Sequence, residues 1–409
     1  MPEEKSEGER VIRFTEDFLR LLAKFQELEI EDVAIEAEEL EIHLPPPAVI
    51  PVGAPAAAPA VAPPVLKPTE LIEVEFTPPV MEYPGKVVEV TIGATKSEGG
   101  TRGKTLTVGG ETTPPFYLFE KAPPHPPIIS LDVFDTKIPL PRALKAHVKD
   151  VVGNPAEWAR LAVEKFGADM VTIHLVSTDP LREDTPPSEA AKTVEEVLQA
   201  VDVPIIVGGC GDPKKDLEVF EKVAEVTAGE RLILSTITLD MDLDRAGKML
   251  KESGHIALAF TPIELNMARE LNRKLYEYIP KENIVMDPTT AALGYGIEYS
   301  FTIFERARLA ALMGDPELPH PLVCAGTNAW AAREAWMKEK DLGPQWGPRE
   351  LRGPAWELIT AVTHLLAGAD IFMMMHPAAV RTMKEIIKQL LNYGAGKPEE
   401  IENWVSVRL

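Results

Sequence analysis

The stretch 285–296, VMDPTTAALGYG, decides how the chain is read. It is a short apolar run that ends in a turn of Asp287, Pro288, Thr289 and Thr290, with Gly294, Tyr295 and Gly296 behind it. A continuous apolar run of this length reads as a strand buried on both faces. The polar, glycine-bearing turn reads as the point where such a strand surfaces.

The same event recurs on both sides of it. Towards the N-terminus lie IISLDVF (128–134) before Asp135, MVTIHLV (170–176) before Ser177, Thr178 and Asp179, and PIIVGG (204–209) before Cys210. Next come LILSTIT (232–238), IALAF (256–260) before Thr261 and Pro262, and NIVMD (283–287). Towards the C-terminus lie PLVCAG (321–326) before Thr327 and Asn328, and IFMMM (371–375) before His376 and Pro377. Helical patterns fall between them, over 155–166, 188–200, 213–226, up to 278, and to about 391. Ser188 stands as a partial capping box, and Pro262 as the proline of a helix start. Eight strand–helix units in about 265 residues predict a (β/α)8 TIM barrel over 127–393. An open doubly wound sheet would carry a G-x-G-x-x-G turn after its first strand, and none is present.

Ahead of the barrel the composition changes three times. Residues 1–44 hold 14 acidic and 5 basic side chains, with Val11, Phe14, Phe18, Leu21, Leu22 and Phe25 at helical spacing and a strand-like alternation from Val33. Residues 45–68 contain nine prolines among 24 residues and read as an extended polyproline tether. Residues 69–126 are β-rich: LIEVEF, KVVEVTIG and KTLTVGG around a glycine-rich turn. Gly103-Lys104-Thr105 lacks the leading glycine and the following helix of a phosphate loop, so a hairpin is expected there. A tail, 394–409, follows the barrel.

The net charge of −22 argues against free nucleic-acid binding. The two cysteines, Cys210 and Cys324, exclude a disulfide scaffold and a self-contained iron–sulfur cubane. With no long apolar run and no leader at Met1, a cytoplasmic location without a membrane contact is expected.

In a barrel the loops after the strands form the active face. Here they gather Asp135, His174, Thr178, Asp179, Gly208, Gly209, Thr236, Thr238, Asp287, Thr289, Thr290, Gly294, Tyr295, Thr327, Asn328 and His376. Hydroxyls, amides and glycines outnumber charges, which suits a large, polar, weakly charged ligand. No metal-ligand cluster is in view. His174 reads equally as a barrel-interior histidine or a ligand contact, and His376 as a helix cap or a site residue. Asp287 reads as a general base or a loop anchor, and Met373 to Met375 as core. The loop WGPRELRGPAWE (346–357) sets two arginines between aromatics, for a ligand edge, a partner or a rigid crossover.

Longer strings carry a resemblance. VTIHLVSTDP (171–180), AAKTVEEVLQAVDVPI (190–205), NRKLYEY (272–278), MDPTTAALGYG (286–296), TNAWAARE (327–334), WGPRELRGPAWE and MMMHP (373–377) resemble the small subunit of the corrinoid iron–sulfur protein, the delta subunit of archaeal acetyl-CoA decarbonylase/synthase complexes. The resemblance covers about 80–391. It implies a TIM barrel paired as a heterodimer with a large (gamma) subunit, sharing a cobamide (corrinoid) at their interface. It implies that the [4Fe–4S] cluster sits on that partner. The pair would carry a methyl group between a methylpterin corrinoid methyltransferase and the nickel cluster of acetyl-CoA synthase, alongside CO dehydrogenase subunits. Carried over as a region, the cofactor-facing residues would be His174, Thr178, Thr236, Asp287, Thr289, Thr290, Gly294, Tyr295, Thr327, Asn328 and His376, with no catalytic or cobalt-ligating residue on this chain. Two other readings are a pterin-dependent methyltransferase, with Asp287 and Asn328 on the pterin, and a purely architectural subunit. The acidic head would dock on another subunit of the complex.

Overall fold

In a computed structural model of the chain, residues 81–116 and 123–391 are described. The acidic head 1–44, the expected tether 45–68, the expected strand LIEVEF and the tail 394–409 lie outside the described residues.

A β-hairpin comes first. Strands β1 (Val90–Ile92) and β2 (Leu106–Val108) pair antiparallel, with Val90 opposite Val108. The segment Gly103-Lys104-Thr105 is the approach to β2, as a hairpin requires.

Eight parallel strands then close a barrel: β3 (Ile128–Phe134), β4 (Met170–His174), β5 (Ile205–Gly208), β6 (Ile233–Ile237), β7 (Ile256–Phe260), β8 (Ile284–Asp287), β9 (Leu322–Ala325) and β10 (Ala369–Met374). They pair in sequence order, and β10 pairs β3 to complete the ring. Alternate side chains explain the unbroken apolar runs. Ile129, Leu131, Val133, Val171, Ile173, Val207 and Leu234 pack outward on the helices. Ile128, Met170, Ile206, Ile233, Ile256, Leu258, Val285, Val323, Ile371 and Met373 fill the interior. Val90, Ile92 and Val108 of the hairpin belong to that inner cluster. The hairpin therefore plugs the end where the strands begin. Gly93 N–H donates to Arg231 C=O at 3.0 Å, and the Arg231 guanidinium donates to Thr91 C=O. The opposite end, where the strands finish, is left as the mouth.

The helices are α1 (Arg142–Val148), α2 (Pro155–Glu164), α3 (Pro187–Ala200), α4 (Pro213–Thr227), α5 (Leu243–Ser253), α6 (Leu265–Leu275), α7 (Ile297–Leu312), α8 (Arg349–Ala367) and α9 (Pro377–Leu391). Three local expectations are corrected. Helix α3 starts one residue earlier than expected, behind Pro186, without a side-chain cap from Ser188. Helix α6 starts after Pro262, because the Glu264 carboxylate accepts from the N–H groups of Asn266 and Met267. The loop WGPRELRGPAWE is largely helix: α8 begins at Arg349 and holds Pro354 inside it. Gly353 in that turn lies against Trp330, where a Cβ would come within 2.2 Å of the indole. Helix α1 is an addition that the strand–helix rhythm does not require.

Candidate functional site

The mouth is built from strand ends, and its polar side chains come from inward-facing positions. On β3 and β4 the inward parity runs Ser130, Asp132 and Thr172, His174. Ser130 Oγ and Thr172 Oγ1 are 2.6 Å apart. Above them, Asp132 Oδ2 lies 3.1 Å from His174 Nε2, an ion-pair contact lying off the ideal hydrogen-bond line. Asp132 is buried, and its other oxygen, Oδ1, has no hydrogen-bond partner among the described residues. Burial alone would lower the His174 pKa, but the Asp132 carboxylate outweighs it and the net shift is upward. The ring stacks on Phe134, with centroids 5.1 Å apart and planes 20° apart.

Across the mouth, β8 ends in Asp287, which is 5% exposed. Burial lifts its carboxyl to about 7. Its Oδ1 accepts from Thr289 N–H at 2.8 Å, so it anchors the turn that follows. Thr289 takes a left-handed backbone, φ 78°, and its hydroxyl donates to Thr261 C=O at 2.9 Å. Thr290 is buried and accepts from Ala325 N–H at 2.9 Å, tying β8 to β9. The Asn328 amide donates to Thr290 C=O at 2.8 Å while the residue stays exposed beside half-buried Thr327. Gly294 provides a positive φ of 76° in the same loop. Tyr295 is exposed; its hydroxyl donates to Glu334 Oε2 at 2.9 Å and accepts from Arg333 N–H. The sequence-derived residues Asp287, Thr289, Thr290, Gly294, Tyr295, Thr327 and Asn328 thus form one linked sector.

The others are placed differently. Thr236 is half-buried on β6, and the nearby Thr238 hydroxyl is buried without a partner. Thr178 is buried, with its hydroxyl on Leu175 C=O at 2.7 Å. His376 is buried beneath the mouth, stacked on Trp330 and edge-on to His147. Its Nδ1 accepts from Ala378 N–H at 3.2 Å at the start of α9. Burial, and then His147, depress its pKa to about 3. Asp135 accepts from Ser177 N–H at 3.1 Å and from its hydroxyl. Asp216 on α4 accepts from the N–H groups of Cys210 and Gly211, and from the Cys210 thiol at 3.1 Å. Burial pushes that thiol up, away from the reactive form.

Two buried acids escaped the reading of the sequence. Asp132 had a signal: a carboxylate within an apolar strand, at the same parity as Ser130. Glu357 had none, since it sits on a helix that reads as a loop. Its carboxylate accepts from Met375 N–H at 2.5 Å and His376 N–H at 3.0 Å, and burial raises its pKa to about 8.

Among the described residues, no group of three or more His, Cys, Asp or Glu side chains could hold a metal ion. No described helix is long and apolar enough to cross a membrane.

The fold and the site define a closed (β/α)8 barrel with a plugged base and a polar, weakly charged mouth suited to meeting a ligand or partner face-on. The sequence profile of the CO dehydrogenase/acetyl-CoA synthase delta subunit matches residues 89–342. The chain is 52% identical over 342 residues to the acetyl-CoA decarbonylase/synthase complex subunit delta of Archaeoglobus fulgidus, covering 83% of this chain and 76% of that one. It is 49% identical over 334 residues to subunit delta 1 of Methanosarcina thermophila, covering 81% and 76%. It is 44% identical over 388 residues to subunit delta of Methanocaldococcus jannaschii, covering 94% and 93%. The chain belongs to the family of acetyl-CoA decarbonylase/synthase complex delta subunits.

Proposed function

We propose that this chain is the barrel half of a corrinoid methyl carrier. Its mouth covers a cobamide held against a larger (gamma) subunit. The pair exchanges a methyl group with a methylpterin methyltransferase and with the acetyl-CoA synthase and CO dehydrogenase subunits of the complex, in the cytoplasm.

The observation that carries this reading is the chemistry of the mouth. A corrin rim bears neutral amides, which need donors and acceptors without strong charge. The mouth offers the half-buried Thr236, Thr289 and Thr327, the exposed Asn328 amide and the His174 imidazole. The Thr238 hydroxyl, buried and unpartnered, is an atom that such a ligand would satisfy. These residues fit the group and would hold it. When bound, the cobamide supplies the cobalt that carries the methyl; the protein supplies position and shielding. With the [4Fe–4S] cluster assigned to the partner, the two cysteines here remain structural: Cys324 is buried, and Cys210 is engaged by Asp216.

The chain's own residues act by rigidity. Asp287 fixes the Thr289 turn, and Thr290 and Asn328 lock that turn to β9, so the loops meet a flat ligand without rearranging. A pterin-dependent methyltransferase finds less support, because Asp287 is nearly buried and committed to Thr289.

The test is co-expression with the large subunit, followed by a visible absorption spectrum. A one-to-one heterodimer with corrinoid absorption that is lost without this chain supports the reading. A monomer that binds methylpterin by itself overturns it in favour of the methyltransferase.

A further inference from the structure

The Asp132–His174 pair has a geometry that goes beyond lining the mouth. Asp132 is buried, and one of its oxygens lies 3.1 Å from Nε2 of His174. A carboxylate this close favours a proton on Nε2, and the opposite ring edge, with Nδ1, faces away from it. The His174 side chain is 25% exposed. Phe134 holds the plane of the ring from one side. On β5, Gly208 lies opposite His174 in the ladder. A Cβ on Gly208 would stand 3.0 Å from Nδ1 and 3.6 Å from Cε1. Its backbone φ is outside the left-handed region, so the turn itself does not ask for glycine. What the missing side chain does is leave Nδ1 uncovered.

We infer that Asp132, Phe134 and Gly208 are positioning residues that present His174 Nδ1–H as a fixed donor to a neutral acceptor oxygen, an amide carbonyl on the rim of the ligand covering the mouth. The inference rests on the reading that a cobamide meets this face, and adds which atom of this chain binds it and how that atom is held. The carboxylate beside Nε2 stabilises the doubly protonated ring, in which Nδ1 donates. The pair is neutral overall, so it suits an amide better than a carboxylate or phosphate. An acceptor on Nδ1 completes a chain from the buried carboxylate through the ring to the ligand, and such chains strengthen in a low-dielectric site.

The experiment uses the full chain and the large subunit, prepared with and without cobamide. Affinity is measured by calorimetry, and histidine side chains are followed by nitrogen-15 NMR. In the wild type, the His174 Nδ1 resonance moves when loaded partner binds and stays in place with cobamide-free partner. Removing one charge-assisted hydrogen bond in His174→Phe weakens binding of loaded partner by about tenfold to a hundredfold. Gly208→Ala, which leaves the imidazole intact but crowds Nδ1, weakens it in the same direction. Neither change alters affinity for cobamide-free partner. Tight binding of loaded partner with an unmoved Nδ1 resonance and unaffected variants overturns the inference while leaving the proposed function standing. Equal binding of loaded and cobamide-free partner, insensitive to either variant, overturns both.

Discussion

Replacing Arg308 with methionine removes the cation at the centre of a buried ionic cluster. Arg308 on α7 donates through Nη1 to Glu111 at 2.7 Å and through Nη2 to both oxygens of Asp370 at 2.9 and 2.7 Å. Nη2 also donates to Gly368 C=O, and Asp370 accepts from Leu322 N–H at 2.7 Å. One side chain thus joins the segment behind the hairpin, a barrel helix and the closing strand β10. All three charged groups are buried. Methionine fills much of the volume but strands two carboxylates, and breaking a buried pair by removing one partner costs about 3–5 kcal/mol. The described barrel has roughly 300 residues, and unfolding entropy near 2.1 cal/mol/K per residue then gives ~0.6 kcal/mol per degree. The melting temperature should fall by ~5–8 °C near neutral pH. The sign of the pH effect follows from linkage. Without the guanidinium, Asp370 and Glu111 have folded pKa values above their unfolded ones, so the variant holds extra protons when folded. Its stability is greatest below the unfolded carboxylate values and is lost as pH rises through the folded ones. The deficit relative to wild type should therefore shrink towards about pH 4–5. Thermal unfolding followed by circular dichroism at several pH values measures this. A drop of less than about 2 °C, or one that does not depend on pH, would refute the reasoning.

Two further outcomes follow from the mouth. Asp287 has a folded pKa of about 7, above its ordinary value, so it stabilises the fold most below pH ~4 and that contribution is lost as pH rises to about 7. Asp287→Asn removes this slope, and its stability relative to wild type should improve from pH 5 to pH 8 by roughly 2–3 kcal/mol; parallel melting curves would contradict this. Gly209→Ala would put a Cβ 2.2–2.5 Å from the Asp216 carboxylate, which must then leave the N–H groups of Cys210 and Gly211. The expected cost is about 1–3 kcal/mol, together with faster labelling of Cys210 by a thiol reagent. Unchanged melting and labelling would show that the carboxylate yields freely.

Much of the barrel was legible because its strands are buried on both faces. IALAF and PLVCAG carry the unbroken apolar signal of a parallel sheet and became β7 and β9. What the sequence concealed was local chemistry. Proline in WGPRELRGPAWE signals a break, yet packing of Gly353 and Pro354 beneath the loop after β9 lets α8 begin at Arg349. Ser188 offers a capping hydroxyl, but the helix starts one residue earlier on the fixed φ of Pro187. At the mouth, a histidine inside the apolar run MVTIHLV was enough to bring His174 forward, whereas its partner Asp132 needed the β3–β4 register, which pairs Asp132 with Thr172 and Phe134 with His174. His376 followed a strand end and looked like a mouth residue, but the indole of Trp330 and the imidazole of His147 close over it. The sequence holds no marker for that kind of covering.

The central claim is that the mouth of this barrel is covered by a cobamide-bearing partner. Hydrogen–deuterium exchange of the full chain, alone and with the cobamide-loaded large subunit, tests it most directly. The account predicts slowed exchange in the turns after β4, β6, β8 and β9, around His174, Thr236, Thr289 and Asn328, with the hairpin plug at Val90 and Val108 unchanged. Protection confined to the plug or to the outer helices, with the mouth exchanging as in the free chain, would contradict it.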